Sequence, residues 1–284
     1  MTVILPPSPR PFLASRPGAR GRVTLLGAPL DRTGSFRPGA AGGPAGIRWA
    51  SDNLETYSPD LDRDLAELDF ADAGDLDLAG LDQPAAVAAI AAATGELLDG
   101  GALPVVLGGE HTVALGVARA VLRRHPDAVV VHLDAHADLR DDYLGERLSH
   151  ATWARRLGEE AGFDRLLQFG IRSGLREEFA LARSRCGHFD REVVLTAAAR
   201  GLLADRPVHL TLDVDVLDPA FLAGTGTPEA GGCTWRELAA FLAALGGTRI
   251  VAIDICELAP ALDPSGASSA VAAKLVRDLA LRFG

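Results

Sequence analysis

Residues 128–140 read Ala-Val-Val-Val-His-Leu-Asp-Ala-His-Ala-Asp-Leu-Arg. The unbroken apolar run at 129–131 is the pattern of a strand covered on both faces, as in a parallel sheet. The run gives way to Asp134-x-His136-x-Asp138. Three metal-capable side chains at i, i+2 and i+4 leave one face of an extended segment. A buried strand ending in such a cluster predicts an α/β fold with a site at the carboxyl edge of its sheet.

The same pattern occurs twice more. The apolar run 103–107 leads into Gly108-Gly109-Glu110-His111, and 207–212 leads into Asp213-x-Asp215 within Thr-Leu-Asp-Val-Asp-Val-Leu-Asp-Pro. Short apolar runs alternating with Ala/Leu-rich stretches predict strands over 22–27, 67–71, 103–107, 128–133, 165–170, 207–212 and 249–255. Helices are predicted over 44–53, 83–99, 111–124, 150–161, 175–183, 191–204, 234–244 and 268–282. The connections 29–43, 135–149 and 214–233 are long, rich in Gly, Pro and Asp, and each follows a strand. No linker, repeat or composition shift divides the chain, so residues 1–284 read as one domain.

Composition sets limits on function. The 284 residues are 48% hydrophobic and 23% charged with net charge −10, which argues against nucleic acid or an anionic membrane as partner and mildly favours cationic substrates. Three isolated cysteines, Cys186, Cys233 and Cys256, form no framework, which favours a reducing compartment and a cytoplasmic protein. No apolar stretch reaches transmembrane length. Pro6, Pro7, Pro9, Pro11 and Pro17 break any amphipathic leader helix, and residues 1–20 are expected to form a flexible or surface-hugging tail.

Each motif alone has an ordinary explanation. Strand-end Asp and His cap helices, Asp218-Pro219 marks a turn, and Glu110 suits the first turn of a helix. Jointly, at one sheet edge, they supply four carboxylates and two imidazoles, enough for two metal ions. We assign His111 and Asp138 to one ion, His136 and Asp215 to the other, and Asp134 and Asp213 as bridges. The oxygen-rich set without cysteine favours Mn²⁺ over Zn²⁺. A water between two such ions ionises near neutral pH, so hydrolysis is expected. His132 alternates with His136 and reads equally as a buried, hydrogen-bonded residue, while His188 and His209 carry no pattern. Glu257 ends a buried strand, where it either pairs structurally or faces the pocket to bind a cationic substrate; the second is favoured.

These residues resemble the ureohydrolase superfamily of arginases, agmatinases and related guanidino hydrolases. The matching stretches are Gly108-Gly109-Glu110-His111, Asp134-Ala-His-Ala-Asp138, Ser149-His150-Ala151-Thr152, Thr211–Gly232 (TLDVDVLDPAFLAGTGTPEAGG) and Ile253-Asp254-x-x-Glu257-Leu-Ala-Pro260. Residues 27–59 look agmatinase-like, and the similarity spans about residues 25–280. The resemblance implies a three-layer, arginase-like α/β fold with a mostly parallel central sheet flanked by helices. It also implies two Mn²⁺ ions per subunit, urea release from a small cationic guanidino substrate, and a homotrimer or homohexamer. By motif, His111, Asp134, His136, Asp138, Asp213 and Asp215 match the metal ligands. His150 matches a proton-shuttling histidine, and Glu257 matches the carboxylate that holds the guanidinium. Asp138 or His150 would deliver a proton to the departing amine.

The stretch after the central motif bears on substrate choice. Where arginases carry uncharged polar residues for an α-carboxylate, this chain has Leu139-Arg140-Asp141-Asp142-Tyr143. Asp141, Asp142 and Glu146 suit a substrate with a distal amine, as agmatine is. Arg140 either receives a carboxylate, as in guanidino acids, or pairs at the surface with Asp141 or Glu146. Agmatine hydrolysis to putrescine and urea is the leading expectation. Other guanidino compounds (4-guanidinobutyrate, guanidine, arginine), formimidoylglutamate and a non-catalytic family subunit follow behind it.

Overall fold

The computed structural model describes residues 8–18 and 20–284. Among them the strands are β1 (Arg16–Pro17), β2 (Val23–Ala28), β3 (Tyr57–Ser58), β4 (Arg63–Asp64), β5 (Phe70–Asp75), β6 (Leu103–Gly108), β7 (Val129–Leu133), β8 (Leu166–Phe169), β9 (His188–Phe189), β10 (Val208–Asp213) and β11 (Ile250–Cys256). The helices are α1 (Gly43–Ser51), α2 (Gln83–Asp99), α3 (Val113–Arg124), α4 (Trp153–Ala161), α5 (Arg176–Arg185), α6 (Ala197–Leu203), α7 (Trp235–Ala244) and α8 (Ala267–Phe283). Nine strands form one parallel sheet in the order β1-β5-β2-β6-β11-β10-β7-β8-β9, and β3 and β4 pair as a separate antiparallel ribbon.

Successive strand residues alternate between two apolar layers. Leu25, Val105, Val129 and Val131 pack with residues of α1, α6, α7 and α8, whereas Leu26 and Val106 pack against α2 and α3, and Val130 against α2, α3, α4 and α5. Steps from β5 to β6 and on through β7, β8 and β9 cross on the α2–α5 face. Steps back to β10 and β11 cross on the other. Helices that change face when the chain reverses direction are what a single crossover hand requires. The three-layer α/β architecture expected from the sequence is the one observed.

The differences lie at edges and ends. Strands β1, β3, β4 and β9 have two residues each, too short to leave a periodicity. The helix expected over 191–204 begins only at Ala197, because the Thr196 side chain caps Ala199 N–H. Helices expected from 111 and 150 begin at Val113 and Trp153, which leaves His111 and His150 in strand-to-helix loops. Of the two forms expected for the tail over 1–20, residues 8–18 take the surface-hugging one and not the flexible one. Phe12 is buried against Phe70, its N–H donates to Asp72, and β1 pairs with β5. Residues 1–7 and 19 lie outside the described residues. Among the described residues no helix is long and apolar enough to cross a membrane.

Candidate metal centre

Four adjacent strands, β6, β11, β10 and β7, end side by side, and their carboxyl ends carry the candidate residues. His111 follows β6, Asp134 to Asp138 follow β7, Asp213 closes β10 with Asp215 after it, and Glu257 follows β11. Asp134, Asp138, Asp213 and Asp215 are 0%, 6%, 3% and 1% exposed. Two of the cavity residues sit in left-handed backbone, Asp138 with φ 54° and Glu257 with φ 68°. For a glutamate this is strained geometry of the kind that collects at functional sites. Gly109 permits the approach of β6 to its neighbours, since a Cβ there would lie 1.9 Å from the Leu30 carbonyl.

The side chains form two groups that share Asp134. In the first, His111 Nδ1 is 3.0 Å from Asp134 Oδ2, 3.3 Å from Asp138 Oδ2 and 3.4 Å from Asp213 Oδ2. In the second, His136 Nδ1 is 3.0 Å from Asp215 Oδ2 and 3.5 Å from Asp134 Oδ1. Local donors anchor the carboxylates: Asp213 Oδ1 accepts from Asp215 N–H, and Asp215 Oδ1 from Ala135 N–H. Trp153 Nε1–H donates to Asp138 Oδ2 at 2.7 Å.

Hydrogen-bond polarity determines which nitrogen of His111 is free. Burial opposes charge on Asp254, yet His209 outweighs it and holds the carboxyl below its ordinary range. An ionised Asp254 only accepts, from His209 Nε2–H at 2.5 Å and from the Thr211 hydroxyl at 2.7 Å. With its single proton so committed, Thr211 Oγ1 must accept from His111 Nε2–H at 2.9 Å. His111 Nδ1 is thereby the nitrogen turned toward the carboxylates, and the one left for a cation once its proton is displaced. His132, within reach of the same group, is differently used. Gln168 donates one amide hydrogen to the Ala137 carbonyl and another to His132 Nδ1, so His132 Nε2–H donates to Asp134 Oδ2 at 2.7 Å. Both ring nitrogens of His132 are engaged, and it supports Asp134 from behind.

The donor set fits divalent cations. His111 Nδ1 and Asp215 Oδ2 are buried and have no hydrogen-bond partner. Burial raises the pKa of Asp213 well above the ordinary carboxylate range, and Asp215 and Asp134 add to it. Burial opposes charge on His111 and His136, but the surrounding carboxylates win and raise both well above the usual imidazole value. A cluster that must hold protons to relieve its own repulsion is one in which cations can replace them.

A cavity of about 170 Å³ opens over this cluster, with His150, Glu257, Arg140 and Tyr143 in its wall. Glu257 Oε1 accepts the His111 N–H at 2.7 Å. His150 lies between two hydroxyls, with Thr33 Oγ1 3.2 Å from Nδ1 and Ser35 Oγ 3.5 Å from Nε2. Thr33 is itself held by the buried Glu110, whose Oε2 accepts Arg32 N–H and Thr33 N–H. Sequence reasoning missed Glu110, Trp153, Thr211, His209 and Asp254 in these supporting positions. The period-two alternation of His209, Thr211 and Asp213 was the one available signal.

The expected specificity residues separate. Arg140 reaches the cavity wall, stacked 4.7 Å over the Tyr143 ring with Nε 3.6 Å from Glu178. Asp141, Asp142 and Glu146 do not line this cavity and correct the expectation that they meet a distal amine. Asp141 is exposed and shared among Arg147, Arg155 and Arg156, with Arg156 holding its carboxyl below the usual range. Asp142 is exposed and accepts from Gly145 N–H, while exposed Glu146 pairs its backbone with Tyr143.

Comparison with known proteins agrees with this geometry. The chain is 43% identical over 277 residues to an agmatinase of Bacillus subtilis, covering 96% of each. It is 33% identical to a guanidinobutyrase of Pseudomonas aeruginosa, covering 90% of this chain and 85% of that protein. The crystal structure of an agmatine ureohydrolase of Thermoplasma volcanium superposes with a TM-score of 0.86 at 29% identity, covering 97% of this chain and 94% of the other. The family model described as Arginase family matches residues 21–281, and the chain belongs to the arginase family.

Proposed function

We infer that this protein hydrolyses agmatine to putrescine and urea at a centre of two Mn²⁺ ions per subunit. The observation that carries the reading is the pair of carboxylate–imidazole groups joined through Asp134. The full-length similarity to agmatinases supplies the substrate. His111 and Asp138 would hold one ion, His136 and Asp215 the other, with Asp134 and Asp213 between them. The oxygen-rich donors favour Mn²⁺. Such a pair, when bound, supplies the acidity that lets a water ionise near neutral pH and charge that stabilises the transition state.

The chain's own residues do the rest. Addition of water at the guanidino carbon breaks its resonance, and the C–N bond to the alkyl amine then breaks as that nitrogen takes a proton. Glu257 keeps one oxygen on the His111 N–H and offers the other to the N–H groups of the guanidinium, a charge-assisted contact. His150, oriented by Thr33 and Ser35, holds a proton where the departing amine can take it, with Asp138 as the second candidate. The Trp153 N–H on Asp138 fixes that carboxylate's direction.

Arg140 in the cavity wall favours one second reading. A cation there suits a substrate ending in a carboxylate, such as 4-guanidinobutyrate. Urea release from agmatine, 4-guanidinobutyrate, guanidine and arginine, with Mn²⁺ added, separates the readings. Agmatine should give the highest kcat/KM. Dominant 4-guanidinobutyrate activity would select the second reading, dominant arginine activity would refute both, and no urea at full metal loading would refute the class. We place the protein in the cytoplasm as one ureohydrolase domain assembled as a trimer or hexamer. Exposed Trp49, Phe36 and Leu144 offer apolar area for such an interface, and sedimentation reads the assembly state.

A further inference from the structure

We propose that Arg172, a residue outside the cavity, is a positioning residue that holds the His136–Asp215 half of the metal centre and leaves the His111 half alone. The inference rests on the two-ion reading above. Arg172 follows β8, one strand beyond β7. Its backbone N–H donates at 2.8 Å to the carbonyl of Ala135, the residue between Asp134 and His136. The N–H of that same Ala135 donates to Asp215 Oδ1 at 3.1 Å. The Arg172 guanidinium closes the circuit, with Nη2 donating to the Asp215 carbonyl at 2.7 Å and to the Glu229 carbonyl at 2.8 Å. Nη1 adds the Gly170 carbonyl at 3.2 Å.

Asp215 is therefore held at both ends, by Ala135 at its carboxylate and by Arg172 at its carbonyl. Both contacts trace to one residue, because Arg172 also fixes Ala135. Ser173 adds a second backbone N–H to the Ala135 carbonyl at 2.9 Å and forms a bridge with His136. His136 and Asp215 come from different strands, and their separation decides whether one cation fits between Nδ1 and Oδ2. None of the Arg172 contacts reaches His111 or Asp138. Only a guanidinium has donors forked widely enough to serve carbonyls in several directions; a lysine offers one compact point charge.

Arg172→Lys tests this by Mn²⁺ titration against a competing chelator and by electron paramagnetic resonance. One of the two ions should bind roughly 10–100-fold more weakly, as losses of outer-shell partners usually do, while the other keeps its affinity. At one equivalent of Mn²⁺ the spectrum should be that of an isolated ion, and the coupled-pair signal should need excess metal. Arg37→Lys is the control: Arg37 grips the far side of the same loop through the Thr225 and Gly226 carbonyls, so it should raise KM with both ions retained. Should the Lys variant not fold, Arg172→Gln, whose neutral and shorter side chain does not reach the Asp215 and Glu229 carbonyls, is read the same way. Equal loss of both ions, or loss of neither, in a folded variant overturns the inference. Wild-type protein that binds fewer than two ions instead sinks the reading on which it rests.

Discussion

Replacing Thr211 with Val keeps the side chain's shape and removes one hydroxyl from the interior. That hydroxyl accepts from His111 Nε2–H and donates to Asp254 Oδ1, and Thr211 is fully buried. Asp254 keeps His209 at 2.5 Å and stays ionised. The His111 N–H, however, is left without an acceptor. A buried group stranded in this way costs about 1–3 kcal/mol, which should appear as lost stability of the metal-free protein. In the metal-free protein, where the carboxylates keep the ring protonated, the imidazole can escape the cost only by giving up the Nε2 proton and keeping the one on Nδ1, the nitrogen that faces the carboxylates. Either route weakens the lone pair available to a cation, so the ion on the His111 side should bind roughly 10–100-fold more weakly. That corresponds to about 1.4–2.8 kcal/mol.

The assay is a two-step Mn²⁺ titration against a chelator, paired with denaturant unfolding of the metal-free protein. Thr211→Ser, which restores the hydroxyl, should recover most of the affinity. Wild-type affinity for both ions in the Val variant would refute the argument, and so would a Ser variant as weak as Val. Loss confined to the His111 ion here, against the His136 ion in Arg172→Lys, would show that the two halves of the centre have separate supports.

Other consequences follow from the same geometry. Asp141→Asn should leave the agmatine KM unchanged, because Asp141 faces three arginines outside the cavity, and a several-fold rise would restore its role in specificity. The raised pKa values of His111 and His136 stabilise the metal-free fold fully below the unfolded value near 6.5, and that stabilisation is lost as pH rises toward the folded values. Raised Asp213 and Asp215 act in the same direction, while the stabilisation from lowered Asp134 is fully present above about pH 4 and adds no slope here, so the metal-free Tm should fall from about pH 6 to 9; a rise would contradict the sign. Saturating Mn²⁺, which replaces those protons, should reverse the trend. Burial pushes the Cys186 and Cys233 thiols up to about 12 and raises Cys256 as well, so native protein should react with a thiol reagent far more slowly than unfolded protein.

How much was legible in the sequence depends on range. Asp134, His136 and Asp138 announce themselves because a strand end places i, i+2 and i+4 together by local geometry. The convergence with His111, Asp213 and Asp215 followed from a rule about where parallel strands end. What no local pattern carries is the partner across the fold. Trp153 holds Asp138 from the first residue of α4, and Glu110 reaches back to Thr33 to orient His150. The charges after Asp138 misled for the same reason. Residues 139–147 are close to the site in sequence, but whether a loop side chain points in or out depends on which partners await it. Arg147, Arg155 and Arg156 draw Asp141 outward, and Glu178 with the Tyr143 ring draws Arg140 inward.

The same reasoning explains why a largely apolar sheet tolerates His132, His209, Thr211 and Asp254 at full burial. All four fall at alternate positions on the face covered by α3, among residues such as Val130, Ala252 and Cys256. Each would cost stability alone, and apolar residues of the same shape would pack there without loss. They are arranged instead as two hydrogen-bond chains, each with one end at the candidate metal centre. One runs from Gln168 through His132 to the Asp134 carboxylate. The other runs from His111 through Thr211 to Asp254, which by accepting from the Thr211 hydroxyl obliges Thr211 to accept from His111 Nε2–H. The direction of every hydrogen bond in these chains follows from a group that can only donate or only accept: a carboxylate at one end, an amide already committed to a carbonyl at the other. Proton placement at the centre is thus determined by residues that never touch the cavity. Their burial deep in the sheet keeps water, which could donate or accept, from scrambling it.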